Sequence, residues 1–102
     1  MNSSTRTKVA AAHVAPVFLD KSKTTDKAIS IIREAAQQGA ELIVFPESYI
    51  PAFPVWASFR APIDNHDLFL TMVTQSIAID GPELNSIRHT AKECGVFVSM
   101  GF

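Results

Sequence analysis

The feature that most constrains the fold is a run of apolar residues followed at once by a proline and a carboxylate. Leu42 to Phe45 are four consecutive large apolar residues, without the alternation of a strand that has one face in water. Such a run predicts a short strand covered on both faces, as in a parallel sheet. Pro46 has no N–H to give to a sheet, so the strand is expected to end there. Glu47 then follows the carboxyl end of a buried strand, where open α/β sheets place their ligands.

The aromatic residues that follow would give the carboxylate of Glu47 an apolar setting. Tyr49, Phe53 and Trp56 come soon after it and could exclude water. An apolar pocket disfavours the charged form of a carboxylate and raises its pKa towards the range of a useful general base. The alternative, which the residues alone favour, is a solvated glutamate in a loop or at a helix start. Many strands are followed by a glutamate, and few of these are catalytic.

A strand–helix–strand unit is predicted to lead into this run. Residues 9–15 form a short, apolar and β-tolerant segment that ends at Pro16, which indicates a first strand, although its alanines would suit a helix equally. Asp20 or Ser22 can cap the helix that follows, and Gly39 supplies the left-handed residue that closes it. The crossover between the two parallel strands is expected to be right-handed. One buried stripe of the helix is predicted to consist of Ala28, Ile31, Ile32, Ala35 and Ala36.

An irregular but ordered loop is expected over residues 50–65, because they contain three prolines. Its aromatic side chains could wall a pocket or plug the core, and the residues alone do not decide between these roles. The spacing of Asp64, His66 and Asp67 fits no specific ligand pattern, so no metal site is expected. Asp67 is instead placed to cap a helix that begins at Leu68. The inner face of that helix is predicted to carry Leu68, Phe69, Met72, Val73 and Ser76.

A further helix and a third strand are predicted at the end of the chain. Pro82 suits the first helical position, Glu83 favours the positive end of the helix dipole, and Gly95 ends the helix. Residues 96–100 indicate a buried strand. The apolar stripe of the helix is predicted to contain Leu84, Ile87, Ala91 and Cys94.

Composition narrows the class of protein. The 102 residues carry a formal charge of −1 and are 47% hydrophobic, which fits one small globular domain at most. This charge gives no reason to expect a nucleic-acid or membrane-surface partner, and no apolar run approaches the ~20 residues of a membrane span. The polar start lacks the apolar core of a secretory signal. Cys94 is the single cysteine, so a reducing, cytoplasmic setting is expected.

The stretch Gly39 to Pro54 also resembles a known active-site signature. Its pattern, Gly-x-x-Leu-Ile-Val-Phe-Pro-Glu-x-x-Ile-Pro-x-x-Pro, is similar to the first signature of the nitrilase (carbon–nitrogen hydrolase) superfamily. Its Pro-x-x-Pro ending is closer to the nitrilase and cyanide-hydratase branch than to the amidases. The pattern departs at Ala52 and Phe53, where nitrilases usually carry Gly-Tyr, and the lost hydroxyl bears on substrate range. Further along, Gly81-Pro82-Glu83-Leu84, Ala91, Gly95 and Gly101 are also arranged as in nitrilases.

The resemblance implies a fold larger than this chain. The family has an α-β-β-α sandwich in which two sheets face each other. Residues 1–102 are expected to form a partial nitrilase domain that lacks its C-terminal portion, in the order β-α-β-loop-α-α-β. Because nitrilases are much longer, the chain is expected to be an N-terminal fragment. With one sheet face uncovered and one edge unpaired, it is expected to aggregate when produced alone.

The resemblance also implies a reaction, the hydrolysis of a nitrile to a carboxylic acid and ammonia without cofactor or metal. Glu47 falls on the catalytic general base. The family's cysteine nucleophile, which forms a thioimidate and then a thioester, and its lysine lie in motifs that this chain does not contain. Cys94 and Lys92 match neither, and the fragment alone is expected to be inactive. The residues expected to contact the small nitrile substrate are Phe53, Trp56 and, more weakly, Tyr49.

Three further expectations come with the resemblance. The full-length protein is expected to be a homo-oligomer. Cyanide hydratase or amidase activity, or a truncated non-catalytic interaction module, are the alternatives. His13 stands where the family usually carries glutamine, and a hydrogen-bonded core histidine is a more favoured interpretation for it than a catalytic base.

Overall fold

A computed structural model describes residues 6–53 and 66–102. Its elements are β1 (Val9–Ala11), α1 (Lys21–Gln37), β2 (Leu42–Val44), α2 (His66–Gln75), α3 (Pro82–Cys94) and β3 (Phe97–Ser99). The strands form one sheet in the order β1-β2-β3, and both pairs are parallel. The predicted α/β class is confirmed, and the apolar run that follows Glu41 forms the central strand.

The first helix begins and ends where its sequence signals indicate. The side chain of Asp20 accepts a hydrogen bond from the backbone N–H of Lys23 at 2.9 Å, so Asp20 is the cap and Ser22 is not. Gly39 has a φ of +90° just beyond the helix. Ala28 and Ile32 are fully buried, and the other residues of the predicted stripe are half-buried.

Two buried threonines in the first turns of α1 were not foreseen from the apolar pattern. The hydroxyl of Thr24 accepts a hydrogen bond from the N–H of Val17 at 3.0 Å and donates one to its carbonyl at 2.9 Å. Thr25 donates to the carbonyl of Lys21 at 2.7 Å. These bonds satisfy buried polar groups, and the two bonds of Thr24 fix the loop between β1 and α1 against the helix.

The third helix is fixed by local signals as well. Pro82 occupies its first turn, and Gly95 closes it in the left-handed conformation with a φ of +68°. Leu84 and Ile87 are buried and pack with α1 in the core, as predicted, whereas Ala91 and Cys94 of the predicted stripe are half-buried. Thr90 is buried although the stripe did not include it.

The second helix differs from its prediction. The described helix already includes His66, so Asp67 lies in its first turn and not before it, where its charge still suits the helix dipole. None of its residues is buried, and Val73 on the predicted inner face is 71% exposed. The apolar residues are spaced as a helical stripe, but the described part of the chain provides no layer that covers them.

Among residues 6–53 and 66–102, the packed layer of helices covers one face of the sheet only. Ala10, Ile43 and Val98 lie at equivalent positions of the three strands and pack into the core against α1 and α3. On the other face, Val9 is 54% and Phe97 79% exposed. The prediction that β2 is covered on both faces is therefore wrong for the described residues, because nothing among them forms a second layer.

Candidate active site

The chain beyond β2 leads directly into the segment that carries Glu47. Phe45 still donates its N–H to the carbonyl of Ser99 at 2.8 Å, so pairing with the β3 side continues one residue past the strand. A turn then spans residues 47–51. At its far end, Ile50 donates its N–H to the carbonyl of Gly101 at 3.3 Å. Glu47 is thus held between two hydrogen bonds to one neighbouring segment.

Buried neighbours anchor this turn while Glu47 itself is exposed. The rings of Phe45 and Tyr49 lie 5.2 Å apart at a 51° tilt, and both side chains are buried. The Tyr49 hydroxyl donates to the carbonyl of Ala15 at 3.3 Å, and Ile50 is buried beside them. The anchors point into the core, so the backbone presents the intervening carboxylate at the surface.

The predicted apolar setting of Glu47 is not formed by the described residues, since its side chain is exposed. Phe53 is 54% exposed, whereas Tyr49 is 1% exposed. Burial raises the pKa of the Tyr49 phenol. This burial favours a structural role for Tyr49, and its predicted contact with substrate stays a prediction. Trp56 lies outside the described residues.

Backbone geometry bears on the departure from the nitrilase pattern. Ala52 is buried and has a φ of +128°, a conformation that residues with a Cβ rarely adopt. Nitrilases usually carry glycine at this place, which adopts such a φ without strain. The structure therefore gives a physical reason for the usual glycine. It also indicates that the alanine found here is held by its surroundings.

Parallel pairing brings a second titratable side chain to the same edge of the sheet. Ala11, Val44 and Ser99 are in register, so the residues that follow each strand leave at one edge. His13 follows β1 there and is exposed, so the described residues do not bury it as the interpretation as a core histidine requires. The signal that indicates the place of His13 at this edge is the register of the strands, because His13 and Pro46 each lie two residues beyond the paired Ala11 and Val44.

Cys94 lies at the opposite edge. It is the last residue of α3 and precedes the amino end of β3, whereas Glu47 follows the carboxyl end of β2. Its side chain is half-buried, and Lys92 is exposed two residues before it. A thiol at the amino edge cannot act on an atom held by Glu47, so the structural role assigned to Cys94 agrees with its position.

Within residues 6–53 and 66–102, no three or more histidine, cysteine, aspartate or glutamate side chains are grouped so that they could hold a metal ion. None of the helices in the same ranges has both the length and the apolar character needed to cross a membrane.

The similarity to known proteins extends beyond the signature around Glu47 to most of the chain. The model of the carbon-nitrogen hydrolase family matches residues 8–102. An arylacetonitrilase of Hypocrea virens is 37% identical over 95 residues, which are 93% of this chain and 28% of that protein. A nitrilase of Pseudomonas syringae pv. syringae is 39% identical over 95 residues, which are also 93% of this chain and 28% of that protein. A bromoxynil-specific nitrilase of Klebsiella pneumoniae subsp. ozaenae is 35% identical over 93% of this chain and 27% of its own length.

The chain therefore spans less than a third of the length of the curated relatives it matches. The match covers all three strands and all three helices of the described structure. This chain belongs to the carbon-nitrogen hydrolase family.

Proposed function

We propose that the protein containing these residues hydrolyses a nitrile to a carboxylic acid and ammonia, with Glu47 as its general base. The observation that carries the proposal is the way in which Glu47 is presented. Its carboxylate is exposed at the carboxyl edge of the central strand, within the family signature, while Phe45, Tyr49 and Ile50 anchor the turn in the core. A general base needs both access to the reacting group and a fixed position.

The proposed reaction has two stages and consumes two water molecules. A base removes the proton from a cysteine thiol, and the sulfur adds to the nitrile carbon to give a thioimidate. The first water then adds and ammonia leaves, so a thioester remains. The second water, deprotonated by the base, attacks the thioester, and the C–S bond breaks to release the acid. Glu47 is the base in this proposal, and the nucleophilic cysteine and the charge-stabilising lysine lie outside residues 1–102.

Substrate contact is assigned to the residues just beyond the turn. Phe53 is more than half exposed and follows Glu47 on the same connection, so its ring is available to an apolar part of a nitrile. Trp56 is retained as a second contact from the sequence. Phe53 has no hydroxyl, in contrast to the tyrosine that is usual in nitrilases. Cyanide hydratase or amidase activity is therefore the close alternative.

The test is the substitution Glu47→Gln in the complete gene product. Glutamine keeps the size of the side chain but cannot accept a proton, so the turnover number should fall by at least about 10²-fold while the thermal midpoint is unchanged. Release of ammonia from a panel of nitriles is the measurement. Identification of the carbon product separates the alternatives, because a nitrilase gives the acid and a hydratase gives the amide.

Glu41→Gln is the matched control. Glu41 is exposed and lies just before β2, at the opposite edge of the sheet from Glu47. The same chemical change there should leave turnover within about twofold of the parent, as expected for a surface substitution away from the site. Full turnover in the Glu47→Gln protein would refute the proposed function.

A further inference from the structure

We propose that Gly101 is a positioning residue for Glu47, because its missing side chain lets the backbone beyond β3 lie directly against the turn that presents the carboxylate. The catalytic consequence of this inference rests on the proposed function of Glu47, whereas its geometric part does not.

The contact leaves no room for a side chain. A Cβ placed on Gly101 would lie 2.7 Å from the backbone nitrogen of Ser48 and 2.8 Å from the Cα of Glu47, and it would also collide with the carbonyl oxygen of Pro46. Ordinary contacts of a Cβ are 3.4–4 Å. All three obstructing atoms belong to the backbone, so no rotation of a side chain can relieve the overlap.

The obstacle to a side chain at Gly101 is steric and not conformational. Gly39 and Gly95 have positive φ values, and Gly101 is not among the glycines with such a value. Alanine could therefore adopt the backbone angles of Gly101, and the cost of introducing it comes from the overlap with residues 46–48. This distinguishes Gly101 from a glycine that only closes a helix.

Hydrogen bonds fix the turn to the strand on both sides of the contact. Phe45 donates to Ser99 before it, and Ile50 donates to Gly101 after it. Ser48 between them has a φ of +50°, which a non-glycine residue keeps only when its surroundings hold it. A methyl group at Gly101 therefore has to push these two backbone segments apart, and we expect this to displace the Cα of Glu47.

A displacement of this kind should affect turnover more than substrate binding. A shift of about 1 Å in a catalytic group can cost on the order of 10²-fold in rate. Gly101 offers no side chain to a substrate, so KM should change little. We expect Gly101→Ala to lower kcat by about 10- to 100-fold in the complete gene product, with KM within about threefold of the parent.

Gly95→Ala is the matched control. Gly95 has a φ of +68°, and a Cβ built on it meets nothing within 4 Å, so alanine there is strained without pressing on any neighbour. It should destabilise the protein by backbone strain. It should lower the thermal midpoint and leave kcat within about twofold of the parent. The inference would be overturned if Gly101→Ala and Gly95→Ala lost the same amount of stability and also the same amount of kcat.

A spectroscopic measurement reads the position of the carboxylate without turnover. The ¹³C signal of the Glu47 carboxyl group, assigned from its disappearance in Glu47→Gln, should move in Gly101→Ala and stay in place in Gly95→Ala. If Glu47→Gln remains active but the signal moves as expected, the proposed function fails and the geometric inference stands. If Glu47→Gln is inactive while Gly101→Ala has parental kcat and an unmoved signal, the inference fails and the proposed function stands.

A second variant covers the case in which Gly101→Ala does not fold. Ser48→Gly should let the turn yield, because glycine adopts other backbone angles freely. In the Gly101→Ala background it should restore folding but not kcat, since the turn then moves away with Glu47. The kcat of Ser48→Gly alone is the reference with which the double variant is compared. A folded double variant with parental kcat would refute the role of Gly101.

Discussion

Within residues 6–53 and 66–102, the position of Glu47 is set by its buried neighbours and not by contacts of its own carboxylate. Phe45 and Tyr49 are buried on either side of it, and the backbone between them carries the exposed side chain of Glu47. The sequence could predict that Glu47 follows a buried strand, because Pro46 has no N–H to donate to the sheet and so ends the strand. It could not predict that the described residues leave the carboxylate exposed, since that depends on which layers cover the turn.

Tyr49 allows the anchoring of the turn to be tested. Tyr49→Phe keeps the ring beside Phe45 but removes the hydrogen bond to the carbonyl of Ala15. We expect the free energy of unfolding at pH 7 to fall by about 0.5–1.5 kcal/mol, as measured by urea denaturation of the complete gene product. An unchanged free energy would mean that the 3.3 Å hydrogen bond contributes nothing to the fold.

The same substitution should change the response to alkali. Burial raises the pKa of the Tyr49 phenol, so the folded state keeps its proton where the unfolded chain loses it. The contribution of Tyr49 is therefore complete below about pH 10 and is lost as the pH rises through the higher pKa of the folded state. The parent protein should lose more stability than Tyr49→Phe above about pH 10. Parallel losses would contradict the burial of the hydroxyl.

At the scale of the elements, the two helices with complete local signals follow their predictions. α1 has a capping Asp20 and a closing Gly39, and α3 has Pro82 and Gly95 in the expected places. Capping and the apolar stripe are local properties, so they can be recognised in a sequence. The inner face of α2 was predicted by the same reasoning and is not buried, because a stripe needs a second surface that the sequence of the helix does not specify.

An ion pair between α1 and α3 should make the free energy of unfolding depend measurably on pH in the acid range. Arg33 and Glu93 approach to 2.6 Å, and this hydrogen bond and the charge of Arg33 lower the pKa of the Glu93 carboxyl. Its contribution is present above the carboxyl's ordinary pKa of about 4.3 and is lost as the pH falls through the lower value of the folded state.

Glu93→Gln removes this titration. Between about pH 5 and pH 2.5, the free energy of unfolding should fall less steeply in Glu93→Gln than in the parent. Both side chains are about half exposed, so the difference should be small and should shrink in about 1 M salt. Glu34→Gln, on an exposed position of α1, is the control and should follow the parent. A steeper acid dependence in Glu93→Gln would reverse the assigned sign.

For the molecule as a whole, the α/β class and the parallel sheet were predictable from the continuous apolar run and the helix between two strands. The covering of both sheet faces was not, because it depends on a layer that the described residues do not form. Val9 and Phe97 stand exposed on the open face, and Phe102 is 53% exposed beyond β3. Such a concentration of exposed apolar side chains favours association.

Residues 1–102 produced alone should therefore associate and should not release ammonia from nitriles. Size-exclusion chromatography should give a broad, high-mass elution profile, because Phe97 exposes most of its ring on an open sheet face. Phe97→Lys should shift the profile towards the monomer. Thr71→Lys, on the exposed surface of α2, is the control and should not. A monodisperse monomer that melts cooperatively, or clear turnover without added metal, would contradict this prediction.

The separation of anchor and carboxylate within one turn also has a consequence for divergence within the family. Phe45 and Tyr49 hold the turn by their contacts in the core, while Phe53 lies exposed a few residues further on. A lineage can replace the exposed aromatic residue by drift or selection without disturbing the core contacts that locate Glu47. On the proposed role of Phe53 in substrate contact, such a single replacement could change the substrate range while Glu47 keeps its place.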